Sequence, residues 1–201
     1  MDAIIKGLIS GTTVSLLIGP IFIALVDITI TKGWRSGLAY VFGIIFIDTL
    51  LIYALYELLG DIDFMAYQKE IGLVGGIVLV LFGILTFTSS ANIQHTNVEN
   101  IKTYFAAFLK GITINILNPF VIVWWMGIYT TVATFNYSPP EIFAYYFSLL
   151  LMVFLFDLLK IRFAYYIKNR LKTGFLTNLK KVAGVCLFIF GVAMLVRITQ
   201  L

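Results

Sequence analysis

Apolar residues run through this chain in long blocks. Stretches such as Ile71 to Phe87 and Val182 to Val196 leave no polar face for water to wet. Charges and turn residues mark the ends of the blocks. A spanning helix needs about 20 mostly apolar residues, and six segments qualify: Ala3 to Ile30, Gly37 to Leu59, Ile71 to Ser89, Tyr104 to Phe135, Ile142 to Phe163 and Lys181 to Ile198. The first and fourth are longer than a bilayer requires. Each carries a proline partway along, Pro20 and Pro119, which removes a backbone donor and clashes with the preceding turn. The connections are short and leave no room for a catalytic domain outside the membrane, so the chain is expected to work within the bilayer and not as an enzyme.

Composition agrees with this pattern. The 201 residues are 61% apolar and 12% charged, whereas a soluble domain carries about 25% charged residues. The fold class expected is all-α integral membrane, one membrane domain spanning 1–201. The net charge of +4 does not point to nucleic acid, because the basic residues lie in short segments between apolar spans and not on a folded basic domain.

The basic residues indicate orientation instead. Lys32, Arg35, Lys102, Lys110, Lys160, Arg162, Lys168, Arg170, Lys172, Lys180 and Lys181 follow the first, third and fifth spans. The other side has Lys6, Lys69 and Arg197 beside Asp2, Asp61, Asp63, Glu70 and Glu141, which by the positive-inside bias places both termini outside. Lys6 and the apolar run after it imitate a signal peptide. No small-residue cleavage site follows, however, and Gly19-Pro20 interrupts the run, so retention as the first helix is expected. Trp34, Tyr165 and Tyr166 fall at span ends, where amphipathic rings prefer to sit; Trp124 and Trp125 lie inside the fourth span and read as packing or pocket lining.

The two halves of the chain resemble each other. Gly11-Thr12-Thr13-Val14-Ser15-Leu16-Leu17-Ile18-Gly19-Pro20 in the first span parallels Gly111-Ile112-Thr113-Ile114-Asn115-Ile116-Leu117-Asn118-Pro119 in the fourth. The next span of each half carries a lone acid, Asp48 and Asp157. With three spans per half, two copies run in opposite directions. The expected architecture is therefore six transmembrane helices as two inverted three-helix repeats, one at about 1–90 and the other at about 101–201. Inverted repeats with a broken helix in matching positions point to a secondary-transporter site. A helix ruptured in hydrocarbon leaves unpaired backbone groups, each costing several kcal/mol unless something polar meets them.

The polar groups at risk in the membrane are the candidate site residues. Asp48, near the middle of its span, costs about 2.5 to 3.5 kcal/mol to insert and so calls for a partner or a wet cavity. Asp157 stands three residues before Lys160, a helix-neighbour spacing, which leaves a local ion pair and a substrate role both open. Asn115 and Asn118 can satisfy carbonyls freed by the break or contact a ligand, and Ser15 and Thr12 occupy the matching first-half region. The helix breaks are assigned to Gly19, Pro20 and Pro119. Asp27 and Glu57 read as interfacial. The glycine pairs Gly7/Gly11 and Gly72/Gly76 have the spacing that lets helices approach closely. His95 lies in a polar loop with Asn92, Gln94, Thr96 and Asn97, and with no second His or Cys nearby no metal site is expected. The lone Cys186 cannot form an intrachain disulfide or half of a two-thiol relay, and no phosphate-binding loop is present, so no cofactor is expected.

These residues resemble the lysine exporter (LysE/RhtB) family of amino-acid efflux carriers over essentially the whole chain. The resemblance rests on the glycine-proline break of the first span, Trp34-Arg35-Ser36-Gly37, Asp48, and above all Asn115-Ile116-Leu117-Asn118-Pro119, which matches an Asn-x-x-Asn-Pro element. The sequence departs from the family at Ile18, where a proline is usual, and at Phe120, where lysine is frequent. The resemblance implies export of amino acids or related small zwitterions across the bacterial inner membrane, driven by the proton-motive force, in a protein that often forms a homodimer. The alternatives are a metal or cation exporter of similar architecture, with Asp48, Asp157 and the asparagines as oxygen ligands, and a membrane assembly subunit that transports nothing.

Overall fold

The computed structural model describes residues 1–17, 19–57, 67–88, 101–167 and 173–198. In order, the helices are α1 (Asp2–Ser15), α2 (Pro20–Lys32), α3 (Trp34–Glu57), α4 (Gln68–Thr88), α5 (Ile101–Ile116), α6 (Pro119–Ala133), α7 (Pro139–Ile167) and α8 (Thr173–Ile198). Among the described residues every regular element is helical. Among the described residues four helices are long and apolar enough to cross a membrane, or up to six spans if each bent pair, α1 with α2 and α5 with α6, counts as one. The expected polar loop around His95 and the basic residues Lys168, Arg170 and Lys172 lie outside the described residues.

Both expected breaks occur, each ahead of its proline. α1 stops at Ser15 and α2 restarts on Pro20, with a 70° change of direction; α5 stops at Ile116 and α6 restarts on Pro119, with a 66° change. Proline lacks the N–H that the first turn of a helix leaves unpaired anyway, and its fixed φ already suits that turn. The prolines therefore begin the second half-helices and do not kink continuous ones. The helix read from Gly37 starts at Trp34 and the one read from Lys181 starts at Thr173, because flanking polar residues continue the helix past the apolar block.

The burial pattern inverts that of a water-soluble bundle. α7 exposes Phe143, Phe147, Leu151, Leu155, Leu159 and Phe163 at every fourth position while burying Tyr145, Ser148, Leu149 and Asp157. Asp48, Asn115, Asn118, Ser15, Thr29 and Ser36 are likewise buried. Polar groups inside and large apolar side chains outside are what a lipid solvent selects.

Small residues set how closely the helices pack. α1 runs along α7, α3 along α5 and α4 along α8. A Cβ on Gly43 would collide with the Phe108 carbonyl, and one on Gly111 with the Tyr40 carbonyl. The α3–α5 backbones are therefore in direct contact, the close approach that glycine permits in membranes. Gly7 and Gly11 pack in the same way against Tyr145, Ser148 and Leu149 of α7. Gly72 and Gly76 meet Ile198 and Leu195 of α8, and Gly83 meets Gly184, so both expected glycine pairs sit in helix seams. At one end, Tyr137 donates to Asp2 at 2.5 Å, and Lys6 pairs with Asp2 at 2.9 Å while standing 3.9 Å over the Phe135 ring. This cluster ties the start of α1 to the α6–α7 connection.

Candidate functional site

The two breaks, α3 and α7 together enclose a cavity of about 100 Å³. A water molecule takes about 30 Å³ in the liquid, so the space holds several waters or a small polar solute. Its walls include Ser15 and Gly19 from the first break, Asn115 and Asn118 from the second, Asp48 from α3, and Asp157 with Lys160 from α7. Val14, Leu17, Ile21, Phe22, Ile44, Val121 and Val153 supply an apolar remainder.

Asp48 is 6% exposed, and its Oδ1 accepts two hydrogen bonds, from Asn115 Nδ2 and from Trp125 Nε1, each at 2.8 Å. The Gly43–Gly111 approach brings α5 close enough for the first bond. Trp125 comes from α6, so the second bond requires α6 to leave the α5 axis. Both donors converge on one oxygen, and among the described residues no donor reaches Oδ2. The same Asn115 amide nitrogen lies 3.4 Å from the Ile44 carbonyl. Turning the amide over would set its oxygen against a carboxylate and a carbonyl, so donation by nitrogen is the orientation that chemistry allows.

Asn115 Oδ1 is then left buried and unpartnered, as is the indole N–H of Trp124, another residue of the wall. One acceptor and one donor beside the cavity are thus without protein partners, each costing about 1 to 3 kcal/mol. Phe120 stacks against Trp124 with ring centres 6.2 Å apart.

The breaks end differently. Asn118, 3% exposed, caps α6 by accepting the Phe120 N–H at 3.2 Å. Gly19 caps α2 in extended backbone with no side-chain hydrogen bond. Ser15 lies against the cavity but donates to its own helix at the Gly11 carbonyl, 2.6 Å away.

Asp157 is held by Lys160 at 2.8 Å, with side-chain exposures of 6% and 19%. Of the two roles left open for Asp157, the ion pair is present, and it forms part of the cavity wall. Lys110 and Asp27 approach to 3.8 Å at a more exposed position.

The structure thus brings Asp48, Asp157, Asn115, Asn118, Ser15 and Gly19 to one cavity. It does not bring Thr12 there: its hydroxyl donates to the Leu8 carbonyl at 2.8 Å, within α1. Pro119 lies instead in an apolar groove of about 560 Å³ between α4 and α6, with Ile71, Val74, Val123 and Met126. The residues that the sequence did not single out as ligands are Trp124, Trp125 and Lys160. For Trp125 the available signal was an indole N–H inside a span one and a half turns after a broken helix, since a buried indole N–H finds a partner.

A sequence model of the family described as LysE type translocator matches residues 12–197. The chain is 25% identical over 200 residues to the "Putative amino acid efflux protein YcgF" of Bacillus subtilis (strain 168), an alignment that covers 95% of this chain and 94% of that protein. No solved structure matches the chain.

Proposed function

The chain belongs to the LysE type translocator family, and from that membership and the cavity geometry we propose a secondary active exporter of amino acids or related small zwitterions, driven by the proton-motive force. The observation that carries the reading is Asp48: a buried carboxylate with one oxygen tied to Asn115 and Trp125 and the other left for cargo, between two ruptured helices. The similarity to an amino acid efflux protein supports the same class of cargo.

The architecture proposed is two inverted three-helix repeats, with both termini outside the bacterial inner membrane. Packing supports it. The α1–α7 seam at Gly11 and Leu149 has a counterpart in the α5–α3 seam at Gly111 and Tyr40, and the α4–α8 seam sets Gly76 against Gly191 and Gly83 against Gly184 about a midpoint. Asp48 and Asp157 occupy corresponding helices.

In this mechanism the α-ammonium of the cargo binds Asp48 Oδ2. Its carboxylate meets the uncapped first turn of α2, where free N–H groups and the helix dipole favour an anion. A proton and an ammonium cannot both neutralise Asp48, so proton entry from outside displaces the cargo and exchange follows from competition for one carboxylate. One charge crossing 100 mV supplies about 2.3 kcal/mol, enough for a roughly 50-fold gradient. Neither a nucleotide nor a cofactor takes part.

The test is uptake of a broad amino-acid panel by everted vesicles under an imposed proton gradient. The expected result is gradient-dependent accumulation of at least one amino acid, absent from vesicles without the protein. Accumulation of none, with transport of a divalent or monovalent cation, replaces this reading with the cation exporter.

A further inference from the structure

Three charged side chains line the cavity: Asp48, Asp157 and Lys160. Two of them cancel. Lys160 Nζ lies 2.8 Å from Asp157 Oδ1, and the ammonium stands 5.6 Å from the centre of the Phe22 ring, so α2 packs beside the pair. Both partners are largely buried, which makes separating them expensive, because an uncompensated charge would remain in a site with little water. Among the described residues of the wall, Asp48 is then the one carboxylate free to meet a cation.

Charge balance constrains what fits. An amino acid with an uncharged side chain brings one ammonium for Asp48 and one carboxylate for the α2 N-terminus, and nothing charged is left over. A basic side chain brings a second cation, and the carboxylate that would receive it is already held by Lys160. An acidic side chain brings an unpaired anion beside Asp48 and Asp157. The rest of the wall, Val14, Leu17, Ile21, Phe22 and Val153, is apolar and suits an uncharged side chain.

We propose that Lys160 determines specificity by acting as a built-in counter-ion: in occupying Asp157 it takes the place of a cationic cargo side chain and restricts export to amino acids with uncharged side chains. The proposal rests on the amino-acid exporter reading and deepens it.

The test compares lysine with norleucine, which has the same carbon chain without the terminal amine, so the contrast isolates charge from size. In proteoliposomes of the wild-type protein under a proton gradient, norleucine is transported and lysine only at a small, measurable fraction of the norleucine rate, competing weakly with it. Lys160→Met leaves Asp157 without its counter-ion. The ratio of lysine to norleucine transport then rises by roughly tenfold, a factor equivalent to about 1.4 kcal/mol of differential binding. The double variant Asp157→Asn with Lys160→Met removes both charges and returns the ratio to the wild-type value, and Lys160→Arg keeps it.

Equal handling of lysine and norleucine by the wild type overturns the proposal without any variant, so it stays falsifiable even if Lys160→Met fails to fold. An unchanged ratio in folded Lys160→Met also overturns it. Transport of no amino acid by the wild type removes the exporter reading itself and this inference with it, an outcome distinct from the other two.

Discussion

At the α5–α6 break, Asn118 turns its side chain onto the Phe120 N–H while Asn115 reaches across to Asp48. At the α1–α2 break, Ser15 bonds back to Gly11 and Gly19 offers the first turn of α2 no side chain at all. The two regions have similar sequences and bend by similar angles, yet one break is closed by its own amides and the other is left open. A pair of breaks serving only to shape the bundle would gain stability from capping both. In the mechanism proposed above, the open one is where an external carboxylate would gain most, and the closed one holds the carboxylate that would receive the ammonium. The asymmetry is one of capping: the second half of the chain fixes Asp48 through Asn115 and Trp125, and the first half leaves the start of α2 without a side-chain cap.

The comparison makes predictions of decreasing size. Asp48→Asn nearly preserves shape but removes both charge and titration; proton-driven export in everted vesicles is expected to fall about a hundredfold, the scale of removing a proton-carrying group. Export by Asp48→Asn at the wild-type rate, still responding to the gradient, would end the role given to the closed break.

Next come the glycines. A Cβ on Gly111 overlaps the Tyr40 carbonyl, whereas one on Gly19 has nothing within 4 Å. Gly111→Ala is expected to cost about 1 to 3 kcal/mol of stability, as overpacking does, and Gly19→Ala to leave the melting temperature in detergent nearly unchanged. Equal losses would mean that both breaks are packed alike.

A smaller effect separates the caps. Asn118→Ala removes the α6 cap at a cost of about 1 kcal/mol. Ser15→Ala removes only a hydroxyl bond within one helical turn and should shift thermal unfolding less.

The smallest change in stability comes from giving the open break what the closed one has. Gly19 is in extended backbone with φ −142°, which asparagine adopts without strain, so Gly19→Asn should stabilise the protein by a few tenths of a kcal/mol. Its carboxamide would then occupy the N–H groups proposed to receive the cargo carboxylate, and the apparent KM for export should rise several-fold. A more stable variant with an unaltered KM would show that the α2 N-terminus does not bind the carboxylate.

Much of this was legible along the chain. The spans could be read from their apolar blocks, since hydrocarbon penalises charge at every position, and the breaks from proline, since its missing N–H acts locally. Asp48, Asn115 and Asn118 stood out because an acid or amide inside a span requires a reason. Thr12 belonged to the same polar string and yet faces its own helix, because a threonine hydroxyl satisfies itself on the carbonyl one turn back. Sequence offers no sign of which threonine does so. Trp125 as a donor to Asp48, and Lys160 as part of the cavity wall, depended on α6 and α7 arriving from distant parts of the chain.

What the sequence by itself determined is the set of costs: which stretches must lie in lipid, where a helix cannot continue, and which polar side chains cannot remain there unpaired. Those costs are properties of single residues and their immediate neighbours, so they can be read in one dimension. The tertiary structure decided how each cost is met. It gave Asp48 its two donors and set the Asp157–Lys160 pair into the wall of the same cavity. Hydrogen bonds and ion pairs act over a few ångströms, and only the close packing at Gly43 and Gly111 brings residues 67 positions apart, Asp48 and Asn115, within that reach.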